Sequence, residues 1–225
     1  IILLHAEQFC EGDMSLMASY FNRRAAIKSE IGHMDSSYYF SKKAINAAEM
    51  SGDISLIGIS ENEIGYVLKH KNKKDSAILH FQRADSIFRV YNMTPYSLQS
   101  VNHYAKLISE KGKQTEAIKI FMEGFEIAGR ENWYRIKRDN AEGLRNSYLE
   151  LNEKDSFYFY YIEMINANSQ LIVNQYSMNT RMVESMFVEE KLQKEINEKE
   201  KDIIREREQS EKLISEMKFI STLTI

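Results

Sequence analysis

A single cysteine, Cys10, in 225 residues leaves no internal disulfide framework and no multi-cysteine metal site within one chain. Proline is as scarce: Pro95 is the only one, and it directly follows Thr94, the pairing of an N-cap residue with the favoured first helical position. Neither sign of charge dominates, with 30 Lys and Arg against 33 Asp and Glu for a net charge of -3. A dedicated nucleic-acid binder carries a basic stripe and a high pI, and the nearest thing here, Trp133 to Arg138, reads as the polar start of a helix. No run of about 18 apolar residues occurs, so the sequence contains no complete membrane span. Strand-like alternation is also scarce, whereas apolar residues recur at helical spacing nearly everywhere. The chain is expected to be all-helical.

What is present is a period. Gly12 and Gly52, and on a second landmark Gly32, Asn72, Gly112 and Asn152, recur at 40-residue spacing, within the range of stacked helical hairpins. Three series of small residues keep the same step: Ala25, Gly65 and Ala105; Ser37, Ala77 and Ala117; Ala44, Ala84 and Gly124. Small residues recur where helices approach closely. Larger residues share the register, as in Phe81, Phe121 and Tyr161, or Ile64, Tyr104 and Leu144.

Asp13, Asp35, Asp53, Asp75 and Asp155 each precede an apolar-periodic run and can accept the free N–H groups of a first turn. Glycine or asparagine at Gly32, Gly52, Asn72, Asn92, Gly112, Gly129 and Asn152 can close the preceding helices. These signals predict four hairpins: 14–31 with 35–50, 54–71 with 75–91, 95–110 with 114–128, and 133–150 with 155–169. Residues 1–13 read as a partial repeat, so the chain is expected to begin inside a larger protein. The repeat array is therefore placed at 1–169.

A long charged helix is predicted for 170–225, which contains neither Gly nor Pro. Its first part is apolar on two faces, one with Leu171, Met178, Met182 and Met186, the other with Val173, Tyr176, Val183 and Phe187. One face can cover the last hairpin and leave another for a partner. Met178, Met182, Val183, Met186 and Phe187 are accordingly the expected self-association surface. Farther on, Lys191/Glu195 and Lys194/Glu198 stand at helix-stabilising spacing, and the charged stretch is expected to act as a lever with weak pairing of its own. The heptad of Met182, Leu192, Ile196, Ile203, Leu213, Met217 and Ile220 is interrupted by Glu189, Lys199, Glu206 and Ser210, which makes a weak coiled coil. The uncharged close, Phe219 to Ile225, reads as a frayed helix end or as the first turns of a membrane span.

The repeat unit resembles the tetratricopeptide repeat (TPR). That family places a small residue late in its first helix, a turn glycine, and two alanines in its second helix. Here those are Ala25, Gly32, Ser37 and Ala44; Gly65, Asn72, Ala77 and Ala84; and Ala105, Gly112, Ala117 and Gly124. The period exceeds the family's usual 34 residues by about six, and Phe21, Glu61 and Val101 replace its early tryptophan. The resemblance implies a right-handed superhelix of antiparallel helix pairs with a protein- or peptide-binding groove. The segment from Tyr176 to Ile204 is similar to the helix that joins TPR arrays to a membrane span in bacterial two-component sensors and related transcription regulators.

No constellation for catalysis is visible. The five histidines lack a spaced pair with a carboxylate, and no Gly-rich phosphate loop or Gly-x-Ser-x-Gly elbow occurs. The chain is read as a non-enzyme without cofactor or metal. Asn22, Asn62 and Asn102 are in register, with Glu142 at the fourth position, on the face that lines the groove in the resembling family. An amide ladder there could hold a peptide backbone, with Arg23, Tyr66, Lys69, His103, Lys106 and Asn146 as neighbours. The competing reading is that each asparagine bonds an adjacent helix.

The resulting expectation is a protein- or peptide-binding scaffold, the sensory or interaction segment of a larger bacterial regulator. A cytoplasmic peptide-pheromone receptor and a purely structural assembly factor are the alternatives. Its partners would be a peptide or protein and a second copy through the C-terminal helix, with no nucleic acid, and with any membrane contact made outside the fragment. Periplasmic and cytoplasmic placements both stay open.

Overall fold

The computed structural model describes residue 10 and residues 12–223, with side chains described as far as residue 208 and at residue 211. The partial repeat expected at 1–13 falls almost wholly outside them, and so do the side chains of the closing segment. Among the described residues the fold is all-helical: α1 Met14–Glu30, α2 Met34–Ser51, α3 Ile54–His70, α4 Lys74–Val90, α5 Thr94–Glu110, α6 Gln114–Arg130, α7 Tyr134–Glu150 and α8 Lys154–Leu223. Consecutive helices pack as pairs, and α1, α3, α5 and α7 also contact one another in sequence. This is the predicted solenoid of antiparallel hairpins.

The 40-residue period proves to be two steps of 20. Left-handed backbone occurs at Gly12, Gly32, Gly52, Asn72, Asn92, Gly112, Asn132 and Asn152, with φ between 54° and 97°. Only glycine adopts that region freely, and asparagine is the side chain that tolerates it best. The next residue's N–H then bonds the carbonyl five positions back, as in His33 to Lys28 (2.8 Å), Lys73 to Leu68 (2.9 Å) and Trp133 to Ala128 (2.9 Å). This Schellman geometry satisfies carbonyls that the helix end leaves open. One expected cap is corrected: Gly129 lies inside α6, and Asn132, three residues later, makes the turn.

The N-termini are less uniform. Asp13 caps α1 by accepting from the N–H groups of Ser15 (2.9 Å) and Leu16 (3.0 Å). Asp53 instead accepts from the hydroxyls of Ser55 (2.6 Å) and Ser15 (3.2 Å), which with burial working against them leaves its carboxyl below the usual range. Met93 takes the cap position of α5 and Thr94 begins the helix. Asp35 and Asp75 lie in the first turns of α2 and α4, where each pairs with a lysine of the following hairpin, Lys71 and Lys111 respectively. These exposed pairs contribute little to stability.

The core is set by exchanges of volume between successive repeats. Phe81 and Phe121 are fully buried at the same register position. A Cβ on Gly65 would meet the Phe81 ring at 2.8 Å, and one on Gly143 would meet the Phe121 ring at 2.5 Å. Around Phe81 the second neighbour is the His103 ring, stacked at 5.1 Å. One repeat later Gly143 stands in the place of that imidazole.

The helix expected at 155–169 and the one expected over 170–225 are parts of a single helix, α8, continuous over 70 residues. The 20-residue step would put the next left-handed residue at position 172. Ile172 stands there, and a β-branched side chain is strongly disfavoured in that backbone region. The chain divides into two units, Ile1–Leu171 and Ile172–Ile225. No helix among the described residues is long and apolar enough to cross a membrane.

Candidate peptide-binding face

The asparagine ladder is a set of ties between repeats. Asn22 donates from its amide to the Leu56 carbonyl (3.0 Å) and accepts from the Ser60 hydroxyl (2.7 Å). Asn62 accepts from the Ser100 hydroxyl at 2.8 Å. Asn102 donates to the Asn140 side-chain oxygen and to the Asp139 carbonyl, both at 3.1 Å. Each asparagine thus reaches the next first helix 38 residues ahead. Asn22 and Asn102 are buried, while Asn62 is half-buried.

Asn22 uses both its amide nitrogen and its oxygen within the scaffold and Asn102 its amide nitrogen, which supports the reading in which each asparagine bonds an adjacent helix. The partner row of Ser60, Ser100 and Asn140 was overlooked, although it recurs at the same 40-residue step. The larger Asn140 fits because the facing helix carries Gly124, whose Cβ would lie 2.7 Å from its oxygen, in place of the Ala44 and Ala84 of earlier repeats. Asn102→Ala would remove the donor from one buried and one part-buried acceptor. It is expected to lower stability by about 1–3 kcal/mol, and urea unfolding of the variant checks this.

The remaining expected groove residues are brought together on α3, α5 and α7, apart from Arg23, which is exposed on α1. Tyr66 packs on His70 at 4.6 Å and on the His103 ring at 6.1 Å. Lys106 donates to Glu142 at 2.8 Å. Burial pushes the Glu142 carboxyl up, but its bond to Lys106 and the nearby Arg145 and Arg138 charges hold it below the usual range.

Lys69 is half-buried. Burial first, and then the Lys106 charge, lower its pKa, against the opposing pull of Glu110 and Glu142. His103 Nδ1 is sealed from solvent with no hydrogen-bond partner. Burial, with Lys69 and Lys106 adding to it, brings the imidazole down to about 4, so the ring is neutral at pH 7.

Beside this cluster, α5, α6 and α7 border an open cavity of about 620 Å³ lined by Lys106, Glu110, Gln114, Glu142, Asn146 and Glu150, with Phe121 and Gly143 among its apolar surface. Gly143, at the register position of His103, adds backbone to that lining and packs against the Phe121 ring. Glu110, Gln114, Glu150 and Gly143 were not anticipated, yet Glu110 and Glu150 share a register position with His70. In the second unit, Met178, Met182, Val183, Met186 and Phe187 are all exposed, each by 60–69%.

Neither a protein-family model nor a curated protein sequence matches the chain. Solved structures do. The chain is similar to BtubC (BKLC) from P. vanneervenii, with a TM-score of 0.62 and 14% identity over 75% of this chain and 70% of that one. It is also similar to a putative kinesin light chain from Podosopora anserina with nearly identical TPR-like repeats, at a TM-score of 0.54 and 9% identity over 76% and 83% of the two chains. The Q17M form of that protein gives 0.56 at the same identity and coverage. At such identities the likeness establishes a shared TPR-like solenoid fold.

Proposed function

We propose that this chain is a non-catalytic protein- or peptide-binding scaffold, the sensory or interaction segment of a larger bacterial signalling regulator. The observation that carries the reading is the face of α3, α5 and α7. There a half-buried cation and an open cavity of about 620 Å³ lie beside repeats whose other buried polar groups are mostly satisfied internally. Fold-level analogy adds only the general habit of helical-repeat proteins to bind partners along their inner helices. Selection of displayed peptides on the full chain tests the reading. Recovered peptides should bind saturably and be displaced by Tyr66→Ala combined with Asn146→Arg, while binders indifferent to those changes would overturn the assignment of this face.

The second part of the proposal is self-association through α8. Met178, Met182, Val183, Met186 and Phe187 fall within ten residues of α8, and all are exposed. An exposed apolar cluster of this kind marks an interface, and a second copy of the same helix is the occupant proposed for it, the heptad beyond being too interrupted for strong pairing of its own. Light scattering should return a dimer for the chain and a monomer for the Met182→Glu/Phe187→Glu variant. A monomer in both cases rejects the dimer.

A further inference from the structure

The first two hairpins place different chemistry at the same register positions. In the first, Phe21 of α1 and Phe40 of α2 are stacked at 6.2 Å, and the Lys43 ammonium lies over the rings of Phe21 and Tyr39, 5.1 Å from each centroid. One 40-residue period later Phe21 gives way to Glu61, Phe40 to His80, Tyr39 to Leu79 and Lys43 to Arg83. Beside the second set lies an open cavity of about 420 Å³, lined by Glu61 of α3 and by Leu79, Gln82, Arg83, Ser86 and Ile87 of α4. That volume falls in the range of about 300–1,000 Å³ typical of small-molecule sites.

Among the described residues Glu61 is the one buried acid, and a buried acid is the informative exception to the rule that such groups stay in water. His80 Nδ1 donates to its Oε2. The second carboxylate oxygen has no hydrogen-bond partner and is not sealed from solvent. A carboxylate withdrawn from water with part of its acceptor capacity unused is held at a cost, which a bound ammonium would relieve.

Arg83 is incomplete in the opposite sense. Its counterpart Lys43 rests on two rings, whereas the Arg83 guanidinium has neither ring, hydrogen bond nor ion pair among the described residues. The Ser86 hydroxyl is spent on the Gln82 carbonyl at 2.9 Å, and Leu79 and Ile87 give the cavity an aliphatic wall. One free anionic oxygen, one free guanidinium and two aliphatic side chains around a single cavity complement a small zwitterion with an apolar side chain.

We infer that this cavity binds a free aliphatic amino acid. The ammonium of the ligand donates to Glu61, its carboxylate accepts from Arg83, and its side chain packs on Leu79 and Ile87. None of these residues belongs to the face proposed for peptides, so the inference stands or falls apart from that reading.

The test is an NMR titration of the full chain, following the His80 ring and the Leu79 methyl resonances. Leucine, isoleucine and valine carry both charges and an aliphatic side chain. Leucine amide lacks the carboxylate, N-acetyl-leucine lacks the ammonium, and glycine lacks the side chain. At least one of the three aliphatic amino acids should give saturable shifts at both residues, and leucine should bind about tenfold more tightly than any of its three truncated forms, the loss expected for one charge-assisted bond or one buried aliphatic group. Arg83→Gln, a change at an exposed position, should weaken leucine about tenfold and erase its advantage over leucine amide. Glu61→Gln should erase its advantage over N-acetyl-leucine.

Absence of a saturable shift with all three amino acids overturns the inference, as do equal affinities for leucine, leucine amide and N-acetyl-leucine. Undiminished leucine binding in Arg83→Gln also overturns it, and that result can be read even where Glu61→Gln fails to fold.

Discussion

Phe121→Ala is expected to cost about 3–5 kcal/mol, the range for deleting a buried phenylalanine from a core that cannot collapse around the gap. The ring is 1% exposed and packs with Ala105, Ile108, Ala117, Ile118 and Leu144. It also closes on the Gly143 backbone, where no side chain could move in to fill the space. Tyr161 occupies the same register position one repeat later but is 41% exposed, because no further first helix follows to cover it. Tyr161→Ala should therefore cost less, about 1–2 kcal/mol by area burial. Urea unfolding of the two variants gives the comparison directly, and similar losses from both would mean that the register is misassigned.

Acidification is expected to remove about 3 kcal/mol through His103 alone. In the unfolded chain the imidazole binds its proton near 6.5, and in the fold near 4. Between those values the unfolded state holds more protons, so stability rises with pH, by about 1.4 kcal/mol for each unit separating the two pKa values. The contribution is complete above about pH 6.5 and is lost as pH falls toward 4. The groups facing the ring are Lys69 and Tyr66 from α3, Phe81 from α4 and Lys106 on α5; the two lysines oppose protonation and none of the four carries a carboxylate. Unfolding free energies of the chain and of His103→Leu should converge as pH falls, once the variant's loss of packing at high pH is allowed for. A constant difference between them from pH 7 to pH 4 would remove the histidine from the account.

The periodic landmarks made the helix pairs legible because a left-handed turn admits few residue types. Gly32, Asn72 and Gly112 mark turns for a backbone reason that survives without knowledge of the neighbours. Gly129 misled because glycine also occurs inside a helix with room to spare, where a Cβ would meet only Lys137 Cε at 3.8 Å, and composition alone does not separate such a glycine from one that turns the chain. The 20-residue step does separate them, since it selects Asn132 and also explains why Ile172 permits α8 to continue.

The asparagines were harder. Their register was visible, but a residue's role depends on what it meets, and Asn22, Asn62 and Asn102 meet a row on the next first helix rather than open space. Seeing Ser60, Ser100 and Asn140 as that row requires the lateral offset between helices, which no single-chain periodicity supplies. Lys69, His103 and Lys106 lie near enough to one another for their charges to interact. Their imbalance, with one ammonium paired among the described residues and the other not, depends on distances of a few ångström.

Each asparagine tie and each Asp–Lys pair joins a repeat only to the one that follows it. Loss of order at one end therefore breaks the bonds of a single boundary and leaves the others intact, as nearest-neighbour coupling requires. Opening would proceed inward hairpin by hairpin, exposing the short turns after Asn72, Gly112 and Asn152 in succession. Limited digestion of such an array yields a stepped series of fragments, each shorter than the last by one hairpin, instead of a single all-or-none disappearance.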